Sequence, residues 1–249
     1  MLRDLSRMLD TWPFTPGTVS VRRIKARDGS NRLQVRVDLG VLQMHEAGRP
    51  DGKKPLGYPS WFHALTELLQ SRVEPKGSNV PVLSLEECAR LHQETLQFNH
   101  RSFAFFHLKA MKEAAADCRH NLAIFDLLHV HAPAPEVAWT ILQIAPQQIL
   151  LLAKASAASL RPSNHDGILA AIDEASSNLA SLFQRIGRPE WANACHEAAA
   201  LRHWRDHVVA SRPVPESQKL DQQLADAIQR EDYELAARLR DQIRRRQEG

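Results

Sequence analysis

The sequence predicts a mainly α-helical protein: an N-terminal β-hairpin packed on an α-helical bundle or repeat-like helix stack, then a C-terminal antiparallel helical hairpin. Three observations carry this. Period-two alternation of apolar and polar residues is confined to residues 18–44. Apolar residues recur at steps of three and four from Ser60 onward. A proline-bearing stretch, "SRPVPESQ", then separates two last short amphipathic segments from the rest.

At the start, Leu2, Leu5, Leu9 and Trp12 are spaced as on a short amphipathic helix. Arg3, Asp4, Arg7 and Asp10 interrupt the apolar block that a signal peptide needs. Between 18 and 44, Leu33, Val35, Val37, Leu39 and Val41 alternate with polar residues, as in one half-buried strand. "RDGSN" supplies the turn before it, with Gly29 free to take positive φ. In the first arm the apolar set slips from Val19 and Val21 to Ile24 and Ala26, which predicts a bulge at Arg22-Arg23. A lone hairpin is marginal in water, so its apolar face must pack on helices.

Next comes "GRPDGKKPLGYP", with a turn at Pro50-Asp51-Gly52. It is no phosphate-binding loop. Only three residues separate Gly48 from Gly52, and Lys54 stands where Ser or Thr belongs. Ser84 then N-caps a helix, with Glu87 at capping-box spacing. That helix shows two apolar stripes, one through Leu85, Ala89, His92 and Leu96, the other through Cys88, Leu91, Thr95 and Phe98. Two such stripes predict neighbours on both sides. A turn near 107–112 leads to a second helix, and further helices are expected at about 136–160, 167–186 and 189–211. "KEAAADCRHNL" (112–122) and "LAAIDEASSNL" (169–179) form a faint internal repeat. Paired helices of this kind resemble tetratricopeptide-type repeats, although the large Trp, Gly and Tyr positions are not reproduced. A plain bundle remains the alternative. The domain boundaries expected are 1–58 for the short helix and basic hairpin, 59–211 for the helical domain, 212–218 for a linker and 219–249 for the last hairpin.

Composition narrows the function. The chain has 249 residues, 43% hydrophobic and 24% charged, which is ordinary for a soluble globular protein. Cys88, Cys118 and Cys195 are sparse and unpaired in sequence, the pattern of a reducing cytoplasm. No segment approaches a membrane span. Net charge is +3, but residues 1–60 hold eleven Lys/Arg against six Asp/Glu. Arg22, Arg23, Lys25 and Arg36 on the hairpin are therefore candidate phosphate contacts for nucleic acid. No aromatic residue is interleaved between Val19 and Met44 for base stacking. His196, His203 and His207 fall within about 40° on one helix face and are the candidate metal ligands. Trp204 stands where a metalloprotease helix would place Glu, and no fourth ligand is implied. Neither a Gly-x-Ser-x-Gly elbow nor a catalytic Cys context is present. No enzyme, cofactor or metal is expected.

In the last module, Leu220, Leu224, Ala227 and Ile228 line one helix, and Tyr233, Ala236, Ala237, Leu239, Arg240 and Ile243 line the next. "REDYE" is the turn, with Asp232 as N-cap. About 30 residues cannot bury enough apolar surface to be secure alone, so the outer seam wants a partner. A second hairpin completing a four-helix bundle is one form of it. The tail resembles the UVR motif shared by excinuclease ABC subunits B and C, some Clp ATPases and the activator of bacterial protein-arginine kinase. The residues that carry the resemblance are Leu220, Leu224, Ala227, Glu231, Asp232, Tyr233, Glu234, Ala236, Ala237, Leu239, Arg240, Asp241 and Ile243. "VRRIKARDG", "LQVRVDLGVLQM" and "GRPDG" make the whole chain similar to a group of bacterial UVR-motif proteins. The resemblance implies a protein-contact hairpin. The expectation is a non-enzymatic bacterial adaptor whose tail binds a protein, with a DNA-repair accessory touching nucleic acid as the alternative.

Overall fold

The structure, a computed structural model, describes residues 4–72, 80–212 and 216–247. It divides into two compact units, Met1–Arg205 and Asp206–Gly249.

In the first unit, helix α1 (Ser6–Thr11) leads into a three-stranded antiparallel sheet, β1 (Ser20–Lys25), β2 (Asn31–Val37) and β3 (Gly40–His45), in that order. This corrects two sequence expectations. The alternation from Leu33 to Val41 is not one strand: the chain reverses at Asp38-Leu39, and Leu39 stands 91% exposed at the tip. Alternation survives such a reversal because Val37 pairs with Gly40, so periodicity alone cannot show it. The expected bulge is also absent, since β1 pairs with β2 one to one from Ser20↔Arg36 to Lys25↔Asn31. Gly29 does take φ 77° in the first turn.

The sheet's apolar face, with Val21, Leu33, Val35 and Met44, packs on Ala104, Phe105, Ala114, Ala115 and Ala155 of the helices. Those helices are α2 (Trp61–Ser71), α3 (Leu85–His107), α4 (Met111–His131), α5 (Pro135–Leu142), α6 (Ala145–Ala157) and α7 (His165–Arg185). After them come α8 (Trp191–Ala194) and α9 (His196–Ala210). Helices α3, α4, α6 and α7 pack serially, each against the next. Ser60 caps α2 by accepting the His63 amide, and the capping box of α3 is complete, Glu87 N–H to Ser84 Oγ and Ser84 N–H to Glu87 Oε2.

Of the two stripes on α3, only one is fully used. Cys88, Leu91, Thr95, Phe98 and Phe105 are buried, whereas Leu85 and Leu96 are exposed. Along its first half the helix does have several neighbours, α2, α4 and α5, but none of them covers Leu85 or Leu96. The expected helix over 136–160 is broken between Leu142 and Ala145, with Pro146 in the first turn of α6. That over 189–211 is broken at Cys195, whose extended backbone lets its Sγ accept the Ala198 amide. The faint repeat is matched in packing but not in polarity. Ala115 and Cys118 are buried like Ile172 and Ala175, while buried Asn121 corresponds to exposed Asn178.

The second unit holds α10 (Glu216–Gln229) and α11 (Tyr233–Gln247). Because α10 starts at Glu216, the expected linker 212–218 is shortened at its end. Its residues 213–215, like Leu2, lie outside the described residues. No described helix is long and apolar enough to cross a membrane.

Candidate functional site

The C-terminal hairpin is built from its turn outward. Helix α10 ends in a Schellman motif: the Asp232 amide donates to Ala227 O (2.9 Å) and the Glu231 amide to Ile228 O (3.0 Å). The motif needs one left-handed residue, and Glu231 takes that role at φ 58°. Asp232 then caps α11 by accepting the Leu235 amide at 3.0 Å. Two residues thus close one helix and open the next, which forces α11 back along α10.

This reversal sorts the ten residues expected to bind a partner. Leu220, Ala227, Ala236 and Leu239 are buried against one another, with Leu224 and Ile243 half-buried beside them. The paired Ala227 and Ala236 put no bulk between the helices. Ile228, Tyr233, Ala237 and Arg240 are exposed. Exposed Leu235, absent from the sequence reading, joins them. The seam is therefore internal, and Ile228, Tyr233 and Leu235, which bracket the turn at 54%, 69% and 40% exposure, form the outward apolar set.

The basic residues of the sheet are arranged differently from a phosphate-binding strip. Arg36 is buried: its Nε donates to Trp12 O at 2.7 Å, and its Nη1 reaches the carbonyls of Val37, Asp38 and Gly40. It caps the β2–β3 turn. Arg22 donates to Gln34 Oε1 at 2.7 Å and lies 4.1 Å from the Trp12 ring centroid. Arg23 pairs with Glu46 at 2.5 Å, and Lys25 is exposed at the end of β1. The stacking aromatics missing from the hairpin are supplied by Trp12 and by Phe14, which lies near Arg36, but these rings already meet arginines.

His196, His203 and His207 are each exposed on α9. Among the described residues, no group of three or more His, Cys, Asp or Glu side chains could hold a metal ion.

Sequence reasoning missed a buried polar network in the first unit. Glu94 is fully buried, and its carboxylate accepts the Trp61 amide (2.7 Å) and the Phe62 amide (3.0 Å). His120 Nε2 lies at 3.1 Å and Arg49 Nε at 3.3 Å. Burial pushes the Glu94 carboxyl up, but the bonds from His120, Phe62 and Trp61 outweigh it and hold the group below the ordinary carboxylate range. With Trp61, Phe62 and His120 on its two oxygens and Arg49 as its ion-pair partner, the carboxylate is occupied as a staple between α2, α3 and α4. Alongside it, Asn121 donates to Thr95 O and Gln148 Oε1, and Gln148 donates to Asn99 Oδ1. A signal did exist: Glu94 and Arg101 fall three residues after Leu91 and Phe98 on the buried stripe of α3, where a hydrophobic residue is the default.

No curated protein and no solved structure matches the chain. Residues 218–248 match the family model described as UvrB/uvrC motif. The match runs through α10, the Schellman turn and α11 and leaves the first unit outside it, so the chain carries a UVR motif, and that motif is this hairpin.

Proposed function

We propose that this is a non-enzymatic interaction protein that uses its C-terminal hairpin to grip a protein partner. The observation that carries the reading is the split within the motif. Four residues are consumed in holding the hairpin together, while Ile228, Tyr233 and Leu235 remain in solvent around one turn. Large apolar side chains grouped on so small a unit are the composition of an interface centre. Their partner is another protein of the cytoplasm or a second copy of the hairpin, which would complete a four-helix bundle.

The test compares the full-length protein with a chain lacking residues 216–249 and with the Ile228→Asp, Tyr233→Asp double variant. Proteins recovered by the full-length chain from its native cell extract should be lost from both. Sedimentation of the purified proteins separates self-association from a foreign partner. Retention of the same proteins by the truncated chain would refute the reading.

A further inference from the structure

The end of α4, helix α5, the end of α7 and α8 enclose a cleft of about 530 Å³ in the first unit. That volume is usual for small-molecule sites. Two indoles stand among its mostly aliphatic walls. Trp139 and Trp191 meet with ring centroids 5.7 Å apart and planes at 56°, and buried Phe183 abuts Trp191 edge-on at 6.3 Å. Trp191 is nevertheless 39% exposed, so part of its ring is held in place yet left uncovered.

The charges of the cleft are not balanced. Arg185 is committed to Asp126, Nη1 to Oδ1 at 2.7 Å. Glu136 sits in the first turn of α5, where the helix dipole already favours its charge. Arg188 differs from both. Its guanidinium lies 5.6 Å from the Trp191 ring centroid and has no carboxylate partner among the described residues. Its backbone is anchored by a second Schellman motif, with the Arg188 amide on Phe183 O at 2.8 Å and Gly187 at φ 70°. A cation with no carboxylate partner among the described residues, beside a packed and partly uncovered indole, suits an anion attached to a flat ring.

We propose that this cleft binds a small planar aromatic carboxylate. The ring lies on the uncovered part of the Trp191 indole, beside Trp139, and the carboxylate takes the Arg188 guanidinium as its partner. A neutral ring would leave Arg188 unused, and an aliphatic acid would leave the indoles unused.

The probe is naphthalene-2-carboxylate, titrated into the full-length protein by tryptophan fluorescence and by calorimetry, with 2-naphthalenemethanol and cyclohexanecarboxylate as controls. Saturable quenching by naphthalene-2-carboxylate is expected, and tighter binding than either control. Arg188→Gln, an exposed position that leaves the fold intact by circular dichroism, should weaken naphthalene-2-carboxylate about tenfold, the scale of one charge-assisted hydrogen bond, and leave the alcohol unaffected. The Trp139→Phe, Trp191→Phe double variant should bind the probe more weakly by calorimetry. The proposal fails if no saturable binding appears by about 1 mM, the edge of weak association. It fails equally if Arg188→Gln binds the acid as well as the parent does, or if cyclohexanecarboxylate binds as tightly as the aromatic acid.

Discussion

Arg101 and Asp117 meet inside the first unit through two hydrogen bonds, Nε to Oδ2 and Nη2 to Oδ1, each 2.8 Å, with both side chains buried. The guanidinium uses its remaining Nη1 on the carbonyls of His45 and Gly48, at 3.0 and 2.6 Å. One ion pair therefore ties α3 to α4 and also holds the chain just after β3. Asp117→Asn should cost about 3–5 kcal/mol, because it strands a buried cation. The Arg101→Met, Asp117→Leu double variant should recover only part of this, since the two carbonyls then lose their donor. Urea unfolding of the three proteins checks the order. An equally stable Asp117→Asn would contradict it.

Acid sensitivity should centre on Glu94. Its carboxyl is held below the ordinary value of 4.5 in the folded state, so the unfolded chain takes up a proton first as pH falls. The stabilisation is complete at neutral pH and disappears as pH drops through the folded value, below 4.5. Glu94→Gln should lose on the order of 3 kcal/mol at pH 7, and the gap to the parent should shrink on acidification. A gap independent of pH between 7 and the acid transition would refute this assignment.

Three helices end in the same left-handed motif, yet only one of the three left-handed residues is glycine. Lys109 (φ 60°) ends α3, with the Ala110 amide on Phe105 O at 2.9 Å, and Glu231 ends α10, while Gly187 ends α7. A side chain in this conformation is strained by about 1–2 kcal/mol. Lys109→Gly and Glu231→Gly should each stabilise their own unit by about 0.5–1 kcal/mol after the entropy that glycine adds to the unfolded chain. Gly187→Ala should destabilise by about 1 kcal/mol. Denaturant midpoints of the single variants decide, and the opposite sign at either glycine replacement would exclude the strain.

The three cysteines should separate by reactivity. Burial pushes the Cys118 thiol up to about 12, and Cys88 is also buried and raised. Cys195 is only half-buried. Iodoacetamide at pH 8 should label Cys195 in the native protein and leave Cys88 and Cys118 untouched until unfolding, as peptide mass spectrometry would show. Labelling of native Cys118 as fast as Cys195 would contradict its burial.

Much of the fold was legible because periodicity and caps are local. Ser84 with Glu87, Gly29 and Asp232 all act where the sequence placed them. What escaped was set by distance in the chain. Leu39 looks like a core residue until its strand is known to turn back. Arg36 looks like a surface cation until the carbonyls of its own turn surround it. The site was half legible for the same reason. The tail's residues were found, but whether Leu239 faces its sister helix or a partner, and Ile228 the reverse, depends on the angle at which the turn returns α11.

The sheet's apolar face closes on Phe105, Ala114 and, far later in the chain, Ala155. The helices, by contrast, pack serially along the sequence. During synthesis from the N-terminus, α3 can therefore settle against α4 at once, whereas the strands have no complete floor until α6 has formed. Part of the chain made first is thus seated late, and long-range closure of this kind is the slow element of folding. In a refolding reaction sampled by pulsed hydrogen exchange, amides of α3 and α4 should gain protection ahead of those in β1 and β2.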